Sequence, residues 1–352
     1  MSMAYPVLKP ETPSLKRTIV HQLQRGLYLS GLAWAYRKVA EPRGALIIMY
    51  HSVVDEKNAA YIDQSYSVTV EQFETQLQYL KSHANVISLS EMVECVYGGG
   101  RLPENAVVLT FDDGYLNNLT HAAPLLKKYD LPAMIYLCTG YVDRQQSQWD
   151  DVLYSMFQFR SVQRLQWRGT DYDLNDAKTL SSAFGTIAGA LITATMSERD
   201  QILDDIKAEL QPDCEFPQLT MSWDDVRSLA SQYPQIELGL HTADHLDMTR
   251  LTPAQLEAEV TRSRETFSRE LGREAEHYSY PYGRHTENIA EQLREMGFKS
   301  AVITQPTALV TAKTNPLMMP RYEISSSMLD LKLWMSGAFP DLAEKVMHRV
   351  YD

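Results

Sequence analysis

Eight short runs rich in valine, isoleucine and leucine recur along the chain, and segments whose apolar residues repeat at helical spacing separate them. That alternation is the signature of βα units wrapped around a parallel sheet. The candidate strands are Ala45–Tyr50, Asn85–Leu89, Ala106–Phe111, Ala133–Cys138, Gln235–Leu240, His277–Tyr280, Ser300–Thr304 and Met319–Ile324. Local signals mark the helices between them. Thr69 with Gln72 reads as a capping box ahead of Phe73, Leu77 and Leu80, and Thr252-Pro253-Ala254-Gln255 places proline in a first helical turn. Ser222 caps Trp223–Ser231, and Gly297 ends a helix begun after Thr286. Seven or eight such units, each of roughly 25 to 35 residues, predict an α/β chain closed or nearly closed into a barrel.

Three segments stand outside this rhythm. Between Asp143 and Thr220, Trp149, Tyr154, Phe157 and Phe159 fall at helix-like spacing, a polar run follows, and Ala183–Ala194 and Glu198–Leu210 read as further helices. This is expected to be a helical insertion after the fourth strand, its aromatic stripe serving mainly as packing. Residues 1–43 form an N-terminal helical extension in which Leu23, Leu27, Leu29, Leu32 and Trp34 are flanked by Lys16, Arg17, Arg25, Arg37 and Lys38. Its apolar stretch is broken too often to span a bilayer, which needs about 20 mainly apolar residues, and no small-x-small pattern completes a signal peptide. An amphipathic helix packed on the domain is one reading, and peripheral contact with an anionic membrane surface is the other. The barrel is expected over 44–340, followed by a C-terminal tail at 341–352. A cytoplasmic location, or one at the cytoplasmic face of the membrane, is the matching expectation.

The formal charge of −12 argues against nucleic acid as a partner, because phosphate binding calls for a basic surface and the lysines and arginines here are scattered. A neutral or locally cationic substrate fits better. Cys95, Cys138 and Cys214 are widely spaced and in no CxxC arrangement, which disfavours a disulfide framework or a thiolate metal site.

Chemistry-bearing residues gather at one kind of place. His51 follows the first run, Asp112 and Asp113 follow Ala106–Phe111, His241 and His245 follow Gln235–Leu240, and Tyr282 follows His277–Tyr280. In parallel barrels the carboxyl ends of the strands converge on one face, and that face carries the chemistry. Each piece alone has an ordinary explanation: Asp-Asp-Gly is a turn, a histidine pair is often a surface feature, Tyr-Pro-Tyr-Gly is a loop, and His51 could be a core histidine. Together they suggest a mononuclear metal site. One aspartate and two imidazoles supply the three protein ligands of a catalytic Zn²⁺-type centre, and the carboxylate left over is placed to act as a general base.

Thr110-Phe111-Asp112-Asp113-Gly114, His241-Thr242-Ala243-Asp244-His245 and Tyr280-Pro281-Tyr282-Gly283 resemble the first three signature motifs of the NodB-like polysaccharide deacetylases, carbohydrate esterase family four. The resemblance runs from about Ala45 to Ile324, and Ile47-Ile48-Met49-Tyr50-His51 resembles the opening of exopolysaccharide-type members. It implies a distorted (β/α)₇ barrel, Asp112 as base, and Asp113, His241 and His245 as ligands of one divalent cation, Zn²⁺ first with Co²⁺ or Ni²⁺ as alternatives. It also implies that the backbone N–H of Tyr282 helps to stabilise an oxyanion; Tyr280, Pro281, Tyr282 and Trp149 are expected to contact the substrate.

Two departures matter. No late Leu-x-x-His motif is found, since the only histidine after His285 is His348, with Lys345 where the leucine would stand. His51 becomes the candidate general acid, as in exopolysaccharide-type relatives. The arginine commonly found two residues before the third motif's proline is here Ser279, and Arg321 is the candidate replacement that orients Asp112. The leading expectation is hydrolytic removal of acetyl from an N-acetylated amino sugar in a polysaccharide or its precursor. An O-acetyl carbohydrate esterase, a non-catalytic carbohydrate-binding or assembly component, and a metal-free relative acting on cyclic amides are the competing readings.

Overall fold

A computed structural model describes residues 44–305, 308–324 and 327–337, with the isolated positions 22, 26 and 28–31. The helix expected over residues 1–43 falls mostly outside the described residues, as do His348 and the 341–352 tail. Thirteen strands are present among the described residues: β1 Leu46–Tyr50, β2 Ser52–Val54, β3 Ser67–Thr69, β4 Asn85–Val86, β5 Ala106–Phe111, β6 Ala133–Leu137, β7 Arg164–Trp167, β8 Thr170–Asp173, β9 Ile236–Leu240, β10 His277–Ser279, β11 Ser300–Ile303, β12 Met319–Pro320 and β13 Tyr322–Glu323. All eight expected strands are there, within two residues at most boundaries. The main sheet runs β12-β11-β10-β9-β6-β5-β1-β13, with β4 paired beside the start of β5. Every pairing in it is parallel.

Its two ends are one segment. Ile303 is in register with Pro320, and Ile48 with Tyr322, so the chain passes from one edge of the sheet to the other across Arg321 alone. The sheet thus closes into a seven-staved barrel, a (β/α)₇ fold. The single strand expected at Met319–Ile324 is corrected to two short ones, split where the last stave changes neighbours.

Alternation along each strand sorts the side chains. Leu46, Ile48 and Tyr50, Val107, Leu109 and Phe111, and Ala133, Ile135 and Leu137 pack outward under the helices. Ile47, Val108, Met134, Tyr136, Val302 and Met319 fill the interior. Tyr136 fits there because Gly239 opposes it; a Cβ at that glycine would lie 2.8 Å from the ring. Around the barrel the capping signals hold. Thr69 and Gln72 exchange side-chain and backbone bonds ahead of Val70–His83, and Thr252 with Gln255 does the same ahead of Pro253–Leu271. Ser222 caps Trp223–Gln232, and Gly297, at φ 89°, follows the helix Glu287–Glu295.

The insertion carries its own core of Leu153, Phe157, Leu165, Leu180, Ile187, Leu191, Ile206 and Leu210, with Cys138, Tyr141 and Trp149 joining it to the barrel. Helices Trp149–Gln158, Ala177–Thr193 and Met196–Leu210 build most of it. The expectation of a purely helical insertion is corrected, because the polar run forms the antiparallel hairpin β7–β8. Its two-residue turn has Arg168 and Gly169 both at positive φ, the geometry that matches strand twist. No helix among the described residues is long and apolar enough to cross a membrane.

Candidate active site

Asp112 and Asp113 leave the end of β5, His241 the end of β9, Tyr282 the turn after β10, His51 the end of β1, and Arg321 the break between β12 and β13. Parallel strands deliver all six to the same mouth of the barrel. His51, Asp112, Asp113, His241 and Tyr282 meet, with His245, in a cavity of about 350 Å³ that has Trp149 on the insertion side, and Arg321 lies behind its wall.

Asp113, His241 and His245 offer ligand atoms within 4.8 Å of one another, and all three side chains are buried. His241 Nε2 and His245 Nε2 each stand 3.6 Å from Asp113 Oδ1. His241 Nδ1 lies 2.8 Å from the Ser279 carbonyl; donating its proton there leaves the Nε2 lone pair facing Asp113. Burial, then the carboxylates of Asp150 and Asp112, push the Asp113 carboxyl well up, and burial pushes both imidazoles down. Neutral imidazoles beside a carboxyl in want of positive charge are a donor set suited to one divalent cation, which would hold the carboxylate ionised and take both lone pairs.

Asp112 is set apart from this trio. Burial alone would raise its carboxyl, but the Arg321 guanidinium, with His241 and His51 near it, holds it far below the usual carboxylate range. Arg321 Nη1 donates to Oδ1 and Nη2 to Oδ2, both at 2.7 Å, a bidentate fork between fully buried partners. Nη2 also donates to Ser279 Oγ at 2.9 Å, and that hydroxyl donates to Asp112 Oδ2 at 3.2 Å. A serine at 279 therefore leaves room for a guanidinium arriving from another strand. Asp112 Oδ2 lies 3.8 Å from His241 Nε2, at the edge of the trio.

The backbone is bent to make this geometry. Asp113 (φ 71°), Thr242 (φ 63°), His245 (φ 50°) and Tyr282 (φ 59°) all adopt left-handed conformations that cost a non-glycine residue energy and persist only when the surroundings enforce them. Gly114 and Gly283 follow at positive φ, and a Cβ at Gly283 would come within 2.6 Å of Thr304.

The bracing of the histidine loop is legible only in three dimensions. Glu259, buried on the helix Pro253–Leu271, accepts from the backbone N–H groups of Ala243 and Asp244 at 3.1 and 2.7 Å. Arg199, from the insertion, donates to the carbonyls of Asp244 (2.7 Å), His245 (3.0 Å) and Leu191 (2.9 Å) and to the Tyr282 hydroxyl (3.3 Å). Asp244 itself is gripped by Arg144 and Arg262. No local pattern announced Arg199 or Glu259, since each looks like one more charge on a polar helix.

The other expected contacts divide. Trp149 faces the cavity and donates to the Tyr282 hydroxyl at 3.3 Å, while also packing in the insertion core. His51 presents its ring to the cavity, edge-on to Tyr66. Tyr280 is in the cavity wall, but its hydroxyl is committed to the Leu317 carbonyl at 2.9 Å. Pro281 is buried and lies outside the cavity lining, which corrects the expectation of substrate contact there.

A closed parallel barrel with a paired aspartate and an Asp-His-His trio at its carboxyl mouth has the form of a hydrolase site. The family model for polysaccharide deacetylases matches residues 99–171 and 176–301, more than half of the chain, and the chain belongs to that family. The Bacillus subtilis protein YxkH, whose name assigns it to polysaccharide deacetylases, is 21% identical over 78% of this chain and 69% of its own. A poly-beta-1,6-N-acetyl-D-glucosamine N-deacetylase of Staphylococcus aureus is 34% identical over 119 residues, which are 33% of this chain and 38% of that enzyme. The chain thus matches well under half the length of the staphylococcal relative. Among solved structures, the Streptococcus pyogenes deacetylase PplD superposes with a TM-score of 0.57 at 18% identity, covering 84% of this chain and 99% of that one. IcaB from Ammonifex degensii gives 0.54 at 19%, covering 84% and 97%. Both share the fold described above.

Proposed function

We propose that this chain removes acetyl from an N-acetylated amino sugar in a polysaccharide or its precursor, with one divalent cation held by Asp113, His241 and His245. The observation that carries the reading is a carboxylate kept ionised by a bidentate arginine at the edge of a buried Asp-His-His trio, inside one cavity. The staphylococcal relative, named for N-deacetylation of a glucosamine polymer, supports the substrate class.

A cation in the trio would supply Lewis acidity, polarising the acetyl carbonyl and acidifying water. Asp112 takes the proton of the attacking water, and Arg321 keeps it unprotonated until then. The Tyr282 backbone N–H is the candidate donor to the oxygen on which negative charge develops. The departing nitrogen needs a proton, because an expelled amide anion would be far too basic, and His51, in the cavity wall, is the candidate to deliver it. Acetate and a free amine are the products. The expected result is acetate release from N-acetylglucosamine oligomers that falls to background with a chelator and returns with Zn²⁺. Release indifferent to chelation, or none from any acetylated sugar by a protein carrying stoichiometric metal, would defeat the proposal.

One observation favours a second reading, O-acetyl ester cleavage on the same site. Burial pushes the His51 ring down, against the upward pull of Asp112 and Glu323, which disfavours the protonated form a general acid needs. Esters need less help from an acid. His51→Ala is expected to lower amide cleavage by about 10²-fold or more while sparing ester cleavage. Equal losses on both substrates would remove His51 from the role of acid.

A further inference from the structure

The cavity holds more carboxyl groups than the proposed reaction uses. Beyond Asp112 and Asp113 it is lined by Asp63, Asp150, Asp151 and Glu323, and no lysine or arginine among the described residues lines it. Asp112 has its partner in Arg321, and Asp113 belongs to the histidine trio. Arg199 eases Asp150, but its donors are committed to the carbonyls of Leu191, Asp244 and His245 and to the Tyr282 hydroxyl.

Asp151 is the informative member. It is 4% exposed, and its Oδ2 is buried with no hydrogen-bond partner. A desolvated carboxylate oxygen without a donor is costly, and the cavity is the open side from which a donor can come. Asp150 and Asp151 are adjacent on the first turn of Trp149–Gln158, and burial pushes both carboxyls up, Asp151 further raised by Asp150. Positive charge entering the cavity would relieve both. Among the described residues the metal-type cluster is Asp113, His241 and His245 and does not include them.

We propose that the wall formed by Asp63, Asp150 and Asp151 is a subsite for a protonated amino sugar, so that the cavity takes a chain already carrying free amines beside the acetylated residue to be cut. An ammonium brings three donors and a full charge, which a neutral acetamide lacks. Hydrolysis of one acetamide makes such a group, so a polymer becomes a better ligand as it is processed. This inference rests on the deacetylase reading for its substrate.

Binding can be measured without turnover. Titration calorimetry of the zinc-loaded Asp112→Asn protein, which is expected to keep its metal and not to turn over, against fully de-N-acetylated glucosamine oligomers and against acetylated oligomers of equal length gives the contrast. The amine oligomer is expected to bind at least tenfold more tightly. Asp150→Asn/Asp151→Asn should erase that advantage and leave the acetylated oligomer's affinity within twofold; Asp63→Asn, on a half-buried loop, should reduce it if the double variant does not fold. Equal affinity of the Asp112→Asn protein for both oligomers, or a preference that survives the added substitutions, overturns the subsite. If acetate release also fails, the deacetylase reading falls separately, whereas normal release with equal affinities removes the subsite alone.

Discussion

Asp112→Asn is expected to lower acetate release by about 10²–10⁴-fold, the range a positioned general base supplies, while the protein still takes up one equivalent of Zn²⁺. The asparagine keeps the shape of the carboxylate and can still accept from Arg321, but it cannot take a proton from water. Asp113→Asn should behave differently, since that residue is in the trio: metal uptake falls together with turnover. Parallel metal analysis and acetate assays on the two variants separate a base from a ligand. If Asp112→Asn loses its metal, or keeps native turnover, the division of labour between the neighbouring aspartates is wrong.

Arg321→Ala is expected to damage both stability and rate. It strands the Asp112 carboxylate in a site with almost no solvent, and breaking a buried pair from one side costs about 3–5 kcal/mol. That is a large share of the roughly 5–15 kcal/mol that holds a folded protein together. Burial would then govern Asp112, its carboxyl would rise, and the acid limb of the pH–rate profile would move to higher pH. Arg321→Lys keeps a charge but not the two-pronged geometry and should fall between alanine and the native protein. Arg321→Ala/Asp112→Asn should recover part of the stability that Arg321→Ala loses, because the stranded charge is gone. Denaturant titration of the four proteins checks this, and unchanged turnover in Arg321→Ala would end the idea that Arg321 tunes the base.

Much of the barrel was legible because its strands are uniformly buried. Ala106–Phe111 and Ala133–Leu137 have no exposed residue, so they read as continuous apolar runs rather than alternating ones. Asp112, Asp113, His241 and His245 were legible because their motifs sit where such runs stop. Arg321 was only half legible: its place beside a strand was evident, but the break that lets it enter the barrel depends on pairing with β11 on one side and β1 on the other, which no local window contains. The hairpin at Arg164–Asp173 was hidden by its polarity, since only Leu165 on it is fully buried. Arg199 was hidden for the opposite reason. In Met196–Leu210 it looks like a solvent-facing helix charge, and only the docking of the insertion makes it a buried clamp on the metal-type loop.

The residue that closes the barrel is also the residue that charges Asp112. A chain emerging from the ribosome with everything up to Met318 has both aspartates and both histidines, yet it has an unsealed sheet and a carboxylate facing no guanidinium. If Asp112 is the base, as proposed above, competence for proton transfer comes in the same event that completes the hydrogen-bonded cylinder, and a product terminated before Arg321 carries both aspartates and both histidines without the guanidinium that Asp112 pairs with.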